Sequence, residues 1–250
     1  MAVESEIGLI DEVARLRAEL ARREREAAEQ ELQLQRYAAD LRETFKRERA
    51  RAQELRRSYM ATVRALSNAV EARDAYTRKH AERVTAYGLE IAKAYGPPIS
   101  DQVDLEFGFL LHDIGKVAIP DSILYKPARL TADERALIIE HPVVGAEIVR
   151  HIEFLRQSAK VVRHHHERWD GTGYPDGLVG DEIPLSARVF AVADVLDALT
   201  SDRPYRSASP ISVARQMIVA ESGKHFDPRV IEAFQTIDDE VFERIRRELR

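Results

Sequence analysis

The chain has 250 residues, 44% hydrophobic and 32% charged, a balance that suits a globular, helix-rich protein better than a disordered one. A net charge of -5 excludes a general nucleic-acid binder, so no DNA or RNA duplex is expected as partner and any phosphate-binding surface must be local. The absence of cysteine excludes disulfides, thiolate zinc sites and cysteine nucleophiles, which leaves His and carboxylates as metal donors.

The N-terminus has no basic stretch followed by an apolar run. No segment approaches the ~18 apolar residues of a membrane span. The expected location is cytoplasmic, without membrane insertion. From about Ser5 to about Ala69 there is no Pro and only Gly8, and the segment is rich in Ala, Glu, Arg and Leu, all strong helix formers. Apolar or small residues recur at steps of three and four: Val13, Leu16, Leu20, Ala27, Leu34, Tyr37, Leu41. Arg23 and Gln30 interrupt the series. A second series, Phe45, Ala52, Leu55, Tyr59, Leu66, Val70, is offset by one residue, as a stutter would produce. The pattern predicts a long helix over residues 1–60 that pairs with a second copy as a coiled coil. The alternative is a single solvated helix, but one this long gains little by itself.

Beyond about Ala61 the character changes, and all eight His lie there. Helical apolar patterns cover roughly 61–96, 101–116, 131–151, 154–166, 186–199, 209–222 and 228–248. Turn residues separate them, as in Gly96-Pro97-Pro98, Ile119-Pro120-Asp121, Lys126-Pro127, Asp170 to Gly177, and Ser207 to Pro210. The one candidate strand is a short pairing near 117–119. Residues 61–250 are therefore expected to form an all-α domain.

Within it, Leu110-Leu111-His112-Asp113-Ile114-Gly115-Lys116 places adjacent polar residues in an apolar helical run, where they need a partner or a metal. Asp113 has two oxygens and could bridge two metals while His112 binds one. Lys116, at i+3 from Asp113, shares its face and could touch the carboxylate or a phosphate. Alone, such a pair is more often a surface feature. His80, His141, the run His164-His165-His166, and Asp194 within Ala191-Val192-Ala193-Asp194-Val195-Leu196 add to it. Singly each His is more often structural. Together they offer imidazole and carboxylate donors for two ions, a composition that suits iron, manganese or zinc.

These motifs resemble the HD-GYP family. Leu111 to Lys116 with Ile119-Pro120-Asp121 is similar to its first signature. His165-His166-Glu167-Arg168-Trp169-Asp170-Gly171-Thr172-Gly173-Tyr174-Pro175 is similar to its second. Val192 to Thr200, Arg203-Pro204-Tyr205-Arg206 and His225-Phe226-Asp227-Pro228 extend the likeness over roughly 62–237. The resemblance implies an HD-superfamily helical bundle behind a long N-terminal coiled-coil helix. It implies a metal-dependent phosphodiesterase that hydrolyses cyclic di-GMP to pGpG or GMP, two metals activating a bridging water as hydroxide. The implied ligands are His80, His112, Asp113, His141, His165, His166 and Asp194, with Asp113 the bridge. The implied ions are iron or manganese. Lys116, Tyr174, Arg203 and Arg206 would meet the substrate, and the N-terminal helix would make a homodimer. Three-metal members carry a Glu where Tyr76 stands, so two ions are expected. Lys126-Pro127-Ala128 stands where the family tends to have Lys-Pro-Gly. Two other readings are a non-catalytic cyclic-dinucleotide sensor and a hydrolase of another nucleotide. His164, His151, His225 and Trp169 are expected to be packing or surface residues. Asp197 and Glu167 could each orient a ligand His or serve a local network, and Arg188 could pair with a site carboxylate or a surface one.

Overall fold

The structure, a computed structural model, describes residues 2–73, 79–97, 99, 102–202 and 206–249. Tyr76 and Arg203 lie outside the described residues. The chain divides into two compact units, Met1–Tyr59 and Met60–Arg250. The first is helix throughout its described length and belongs to α1 (Ala2–Glu71). Its apolar stripe is exposed: Leu34 at 67%, Leu41 at 66% and Phe45 at 73%. Pairs such as Arg15–Glu12 and Arg23–Glu19 link successive turns, each worth only about 0.3–0.5 kcal/mol.

The second unit is helical. In chain order it holds the end of α1, α2 (His80–Tyr95), α3 (Gln102–Leu110), α4 (Asp121–Leu124), α5 (Ala132–Ile139), α6 (His141–Arg150), α7 (Ala159–His164), α8 (Leu185–Thr200), α9 (Ile211–Ala220), α10 (Pro228–Gln235) and α11 (Asp239–Glu248). No strand occurs among the described residues, only the isolated bridges Asp170–Val179 and Ser222–Phe226. No helix there is long and apolar enough to cross a membrane. Helices α2 and α8 lie side by side at the centre. Val84, Tyr87 and Ile91 of α2 meet Val189, Phe190, Val192 and Leu196 of α8. Phe234 of α10 and Phe242 of α11 close one side. Phe109 of α3 packs edge-on against Phe190, 5.3 Å between ring centres.

Several expected helices are divided, each for a local reason. The span 61–96 breaks after Glu71 and resumes at His80, preceded by Lys79 in the left-handed region at φ 57°. The span 101–116 ends at Leu110. His112-Asp113 occupy a turn, and a 3-10 helix, Ile114–Ala118, follows, replacing the strand pairing expected near 117–119. Close approach accounts for this turn. A Cβ on Gly115 would lie 1.9 Å from the His141 carbonyl oxygen, so the turn backbone rests directly on the start of α6. The span 131–151 breaks at Glu140 because Pro142 has no N–H for the Ile138 carbonyl. The side chain of His141 donates to that carbonyl instead, at 2.7 Å. The span 154–166 becomes a 3-10 turn, Glu153–Leu155, and α7. The span 228–248 breaks at 236–238, where Asp238 caps α11 through the Glu240 N–H.

Candidate metal centre

Four histidines point the same ring nitrogen inward, for one shared reason. His112, His141 and His165 each sit three residues after a carbonyl and give it Nδ1–H: Phe109 O at 2.8 Å, Ile138 O at 2.7 Å and Val162 O at 2.8 Å. A carbonyl only accepts, so Nδ1 carries the proton and Nε2 is left as the donor atom. His80 is held by Asp197 instead, Nδ1 to Oδ2 at 2.8 Å. Asp197 is buried and gripped by Arg83 at 2.6 and 3.0 Å.

The inward atoms converge. Asp113 sends Oδ2 to within 3.2 Å of His112 Nε2 and Oδ1 to within 3.2 Å of His141 Nε2. His141 Nε2 lies 3.2 Å from His165 Nε2. The donor atoms of His141, His165 and His166 all fall within 4.8 Å of one another. His80 Nε2 stands 3.3 Å from Asp194 Oδ1, and the His80 and His112 rings are 5.4 Å apart. Donors about 2.1 Å from a common ion are separated by such distances. The seven residues named from sequence thus share one site, contributed by α2, the turn after α3, α6, the end of α7 and α8.

The electrostatics favour a cation. Withdrawal from water opposes charge on Asp113, yet His112 and Lys116 hold its carboxyl well below the usual range. Asp194, under the same opposition, is drawn down to about 2 by His80. Burial and the neighbouring His141 push His166 down to about 4, and burial with His166 also holds His165 well below the ordinary histidine range. Burial also works against charge on His80, but Asp194 and Asp197 raise it to about 10. Ionised carboxylates beside neutral imidazoles are what a divalent ion requires.

Around this core, Lys116 Nζ is 2.8 Å from Asp113 Oδ2. Tyr174 stacks on His166, 4.7 Å between centres and 29° between planes. Arg206 donates to the Ala198 carbonyl in the last turn of α8. His164 turns away from its two neighbours, Nδ1 lying 3.5 Å from Asp176. His151 is exposed beside Glu147, His225 stacks on Phe226, and the guanidinium groups of Arg188 and Arg229 lie 5.7 and 5.6 Å from the Trp169 ring centre. Arg188 pairs with Asp181 and Asp227.

Sequence reasoning missed the residues that fasten the site. Arg83 lies three positions after His80 on one helix face, a signal that could have been read. Ser67 and Glu71 come from the end of α1 and Arg73 from the turn after it, and none gave a local signal. Ser67 donates to the Leu110 carbonyl at 2.7 Å. Glu71 accepts the Ala81 N–H at 2.5 Å beside His80. Arg73 reaches the carbonyls of Lys116, Val117 and Ile119 and the Asp121 carboxylate.

Residues 64–230 match the family described as HD domain. The chain is 43% identical over 174 residues to the cyclic di-GMP phosphodiesterase response regulator RpfG of Xanthomonas campestris pv. campestris, covering 69% of this chain and 46% of that protein. It is 44% identical over 181 residues to 3'3'-cGAMP-specific phosphodiesterase 2 of Vibrio cholerae, covering 72% of this chain and 35% of that protein. The chain therefore spans about half or less of the length of these curated relatives. Its fold is similar to the crystal structure of a cyclic GMP-AMP specific phosphodiesterase of V. cholerae, with a TM-score of 0.53 at 22% identity, covering 74% of this chain and 53% of that one. The match across more than half of the chain, with Gly173-Tyr174-Pro175 set against the histidine pair, makes this chain a member of the HD-domain family, of the HD-GYP kind.

Proposed function

We propose that this chain is a metal-dependent phosphodiesterase that opens a cyclic dinucleotide, with cyclic di-GMP as first substrate and pGpG or GMP as product. The observation that carries this reading is that His112 and His141 turn Nε2 to the two oxygens of Asp113 and His80 turns Nε2 to Asp194, each Nδ1 being engaged behind. The names of the curated relatives support the substrate class and make 3'3'-cGAMP the second compound to try.

His80, His112, Asp113, His141, His165, His166 and Asp194 would hold two divalent ions, iron or manganese by the mix of imidazole and carboxylate. When bound, such ions lower the pKa of a water and offset charge on phosphoryl oxygens. The protein's own part is orientation and charge. Asp113 stays ionised and directs one oxygen to each side of the site. Lys116 adds an ammonium beside it, where a phosphoryl group gains negative charge. Tyr174 forms a wall of the pocket. Arg206, with N–H groups beyond the one given to Ala198, and Arg203 would hold the substrate phosphates.

Elemental analysis of anaerobically purified protein, paired with product analysis on cyclic di-GMP and 3'3'-cGAMP, tests this. Bound metal and linear product are expected, and chelation should stop turnover. Tight nucleotide binding without metal or product would favour a sensor, and turnover of linear nucleotides alone would favour another hydrolase.

We assign residues 1–60 to a dimerising helix and 61–250 to the catalytic domain. The exposed heptad stripe of α1 supports a homodimeric coiled coil.

A further inference from the structure

The histidines of the site are not all fixed alike. His112, His141 and His165 are held by carbonyls and His80 by a carboxylate, but neither ring nitrogen of His166 has a hydrogen bond to any described residue. Its ring is held by ring contacts instead: His165 at 4.1 Å and His141 at 5.2 Å on the ligand side, and the stacked face of Tyr174 at 4.7 Å, which alone of the three is no candidate ligand. That makes the placement of Tyr174 a metal-site question, and three features place it. The Tyr174 N–H reaches the His166 carbonyl at 3.3 Å. Gly173 lies so close to the 166–168 backbone that a Cβ there would be 2.4 Å from Arg168 N and 2.6 Å from His166 O. On the far side of the loop, Glu167 accepts N–H groups from Asp176 at 2.8 Å, Gly177 at 3.1 Å and Leu178 at 3.2 Å. Its carboxylate is buried, the residue being 3% exposed. A buried carboxylate is tolerated only with such donors. Arg163 fastens the same turn from outside through both oxygens of Asp176, each at 2.8 Å.

We infer that Glu167 is a positioning residue that clamps the Gly173-Tyr174-Pro175 loop so that the Tyr174 ring orients His166 for metal binding, taking the place of the hydrogen bond the other histidines have. The inference rests on the metal reading above. The test titrates the metal-free full chain with Mn2+ by calorimetry, with a thermal melt of each variant. Glu167→Gln keeps the volume and one accepting oxygen but turns an amide NH2 toward at least one of these backbone N–H groups. It should weaken binding of one of two ions by about 10- to 100-fold. Tyr174→Ala should do the same. Tyr174→Phe, which keeps the ring and drops the hydroxyl, should bind as the unsubstituted protein does.

A lowered melting temperature with unchanged Mn2+ affinity would mean that the clamp serves the fold alone, and the inference would be lost. Should Glu167→Gln not fold, equal affinities of the Ala and Phe variants at position 174 would overturn it. A parent chain that binds no Mn2+ sinks the metal reading and this inference together. A parent that binds two ions, with all variants equal to it, sinks this inference alone.

Discussion

Asp113 turns one oxygen toward His112 and the other toward His141, so its loss cannot be made good by a neighbour. Asp113→Ala is expected to abolish turnover and most metal binding, read by product formation and elemental analysis of the same sample; full turnover would remove the assignment. Asp197 touches no shared atom of the site but fixes His80 from behind. Asp197→Asn should weaken metal binding by about 10- to 100-fold while the chain stays folded, measured by titration of the metal-free protein. The donors themselves were legible in the sequence because polar residues inside apolar runs need partners, and His112, Asp113 and Asp194 stand in such runs. Their orientation was not. That His112, His141 and His165 each reach a carbonyl three positions back depends on local turns whose geometry no spacing rule reports. The grip of Arg83 on Asp197 spans 114 positions and needs α2 beside α8.

At the scale of elements, breaks in the helices do more for the site than the helices do. Sequence periodicity located the helical regions but ran through those breaks, because an apolar repeat records the buried face and is silent where two short helices continue the same face. The His112-Asp113 turn rests on α6 through Gly115, so Gly115→Ala should force the two apart and destabilise the domain by at least about 1–3 kcal/mol, seen in a thermal or urea melt. An unchanged midpoint would show that the contact has slack. Helix α5 begins with a capping box in which Thr131 and Glu134 bond each other's backbone, and Lys126 lies 2.6 Å from the Glu134 carboxylate. The Lys126 hydrogen bond holds Glu134 below its usual 4.5. A depressed carboxylate contributes stability that is present above the usual value and lost as pH falls through the folded value. Carbon-detected titration of Glu134 should therefore give a midpoint below 4.5, and Lys126→Met should return it upward.

For the whole molecule, the apolar surface is divided between two unlike solutions. The unit Met60–Arg250 buries its large side chains around α2 and α8 and holds all seven candidate donors together with Lys116. The unit Met1–Tyr59 buries none of Leu16, Leu20, Leu34, Tyr37, Leu41 or Phe45. A helix with its apolar stripe in water has little to stabilise it, whereas covering one Leu contributes about 1.5–3 kcal/mol. A second copy of the same stripe supplies such a cover with heptads in register. Leu34→Glu combined with Leu41→Glu would place like charges in the proposed seam, and light scattering is expected to report a dimer for the parent chain and a monomer for this variant. Because the donors lie outside the substituted unit, metal content per chain should stay the same. A variant that remains dimeric would move the interface elsewhere, and one that loses metal would mean that pairing of the helices is needed to build the site.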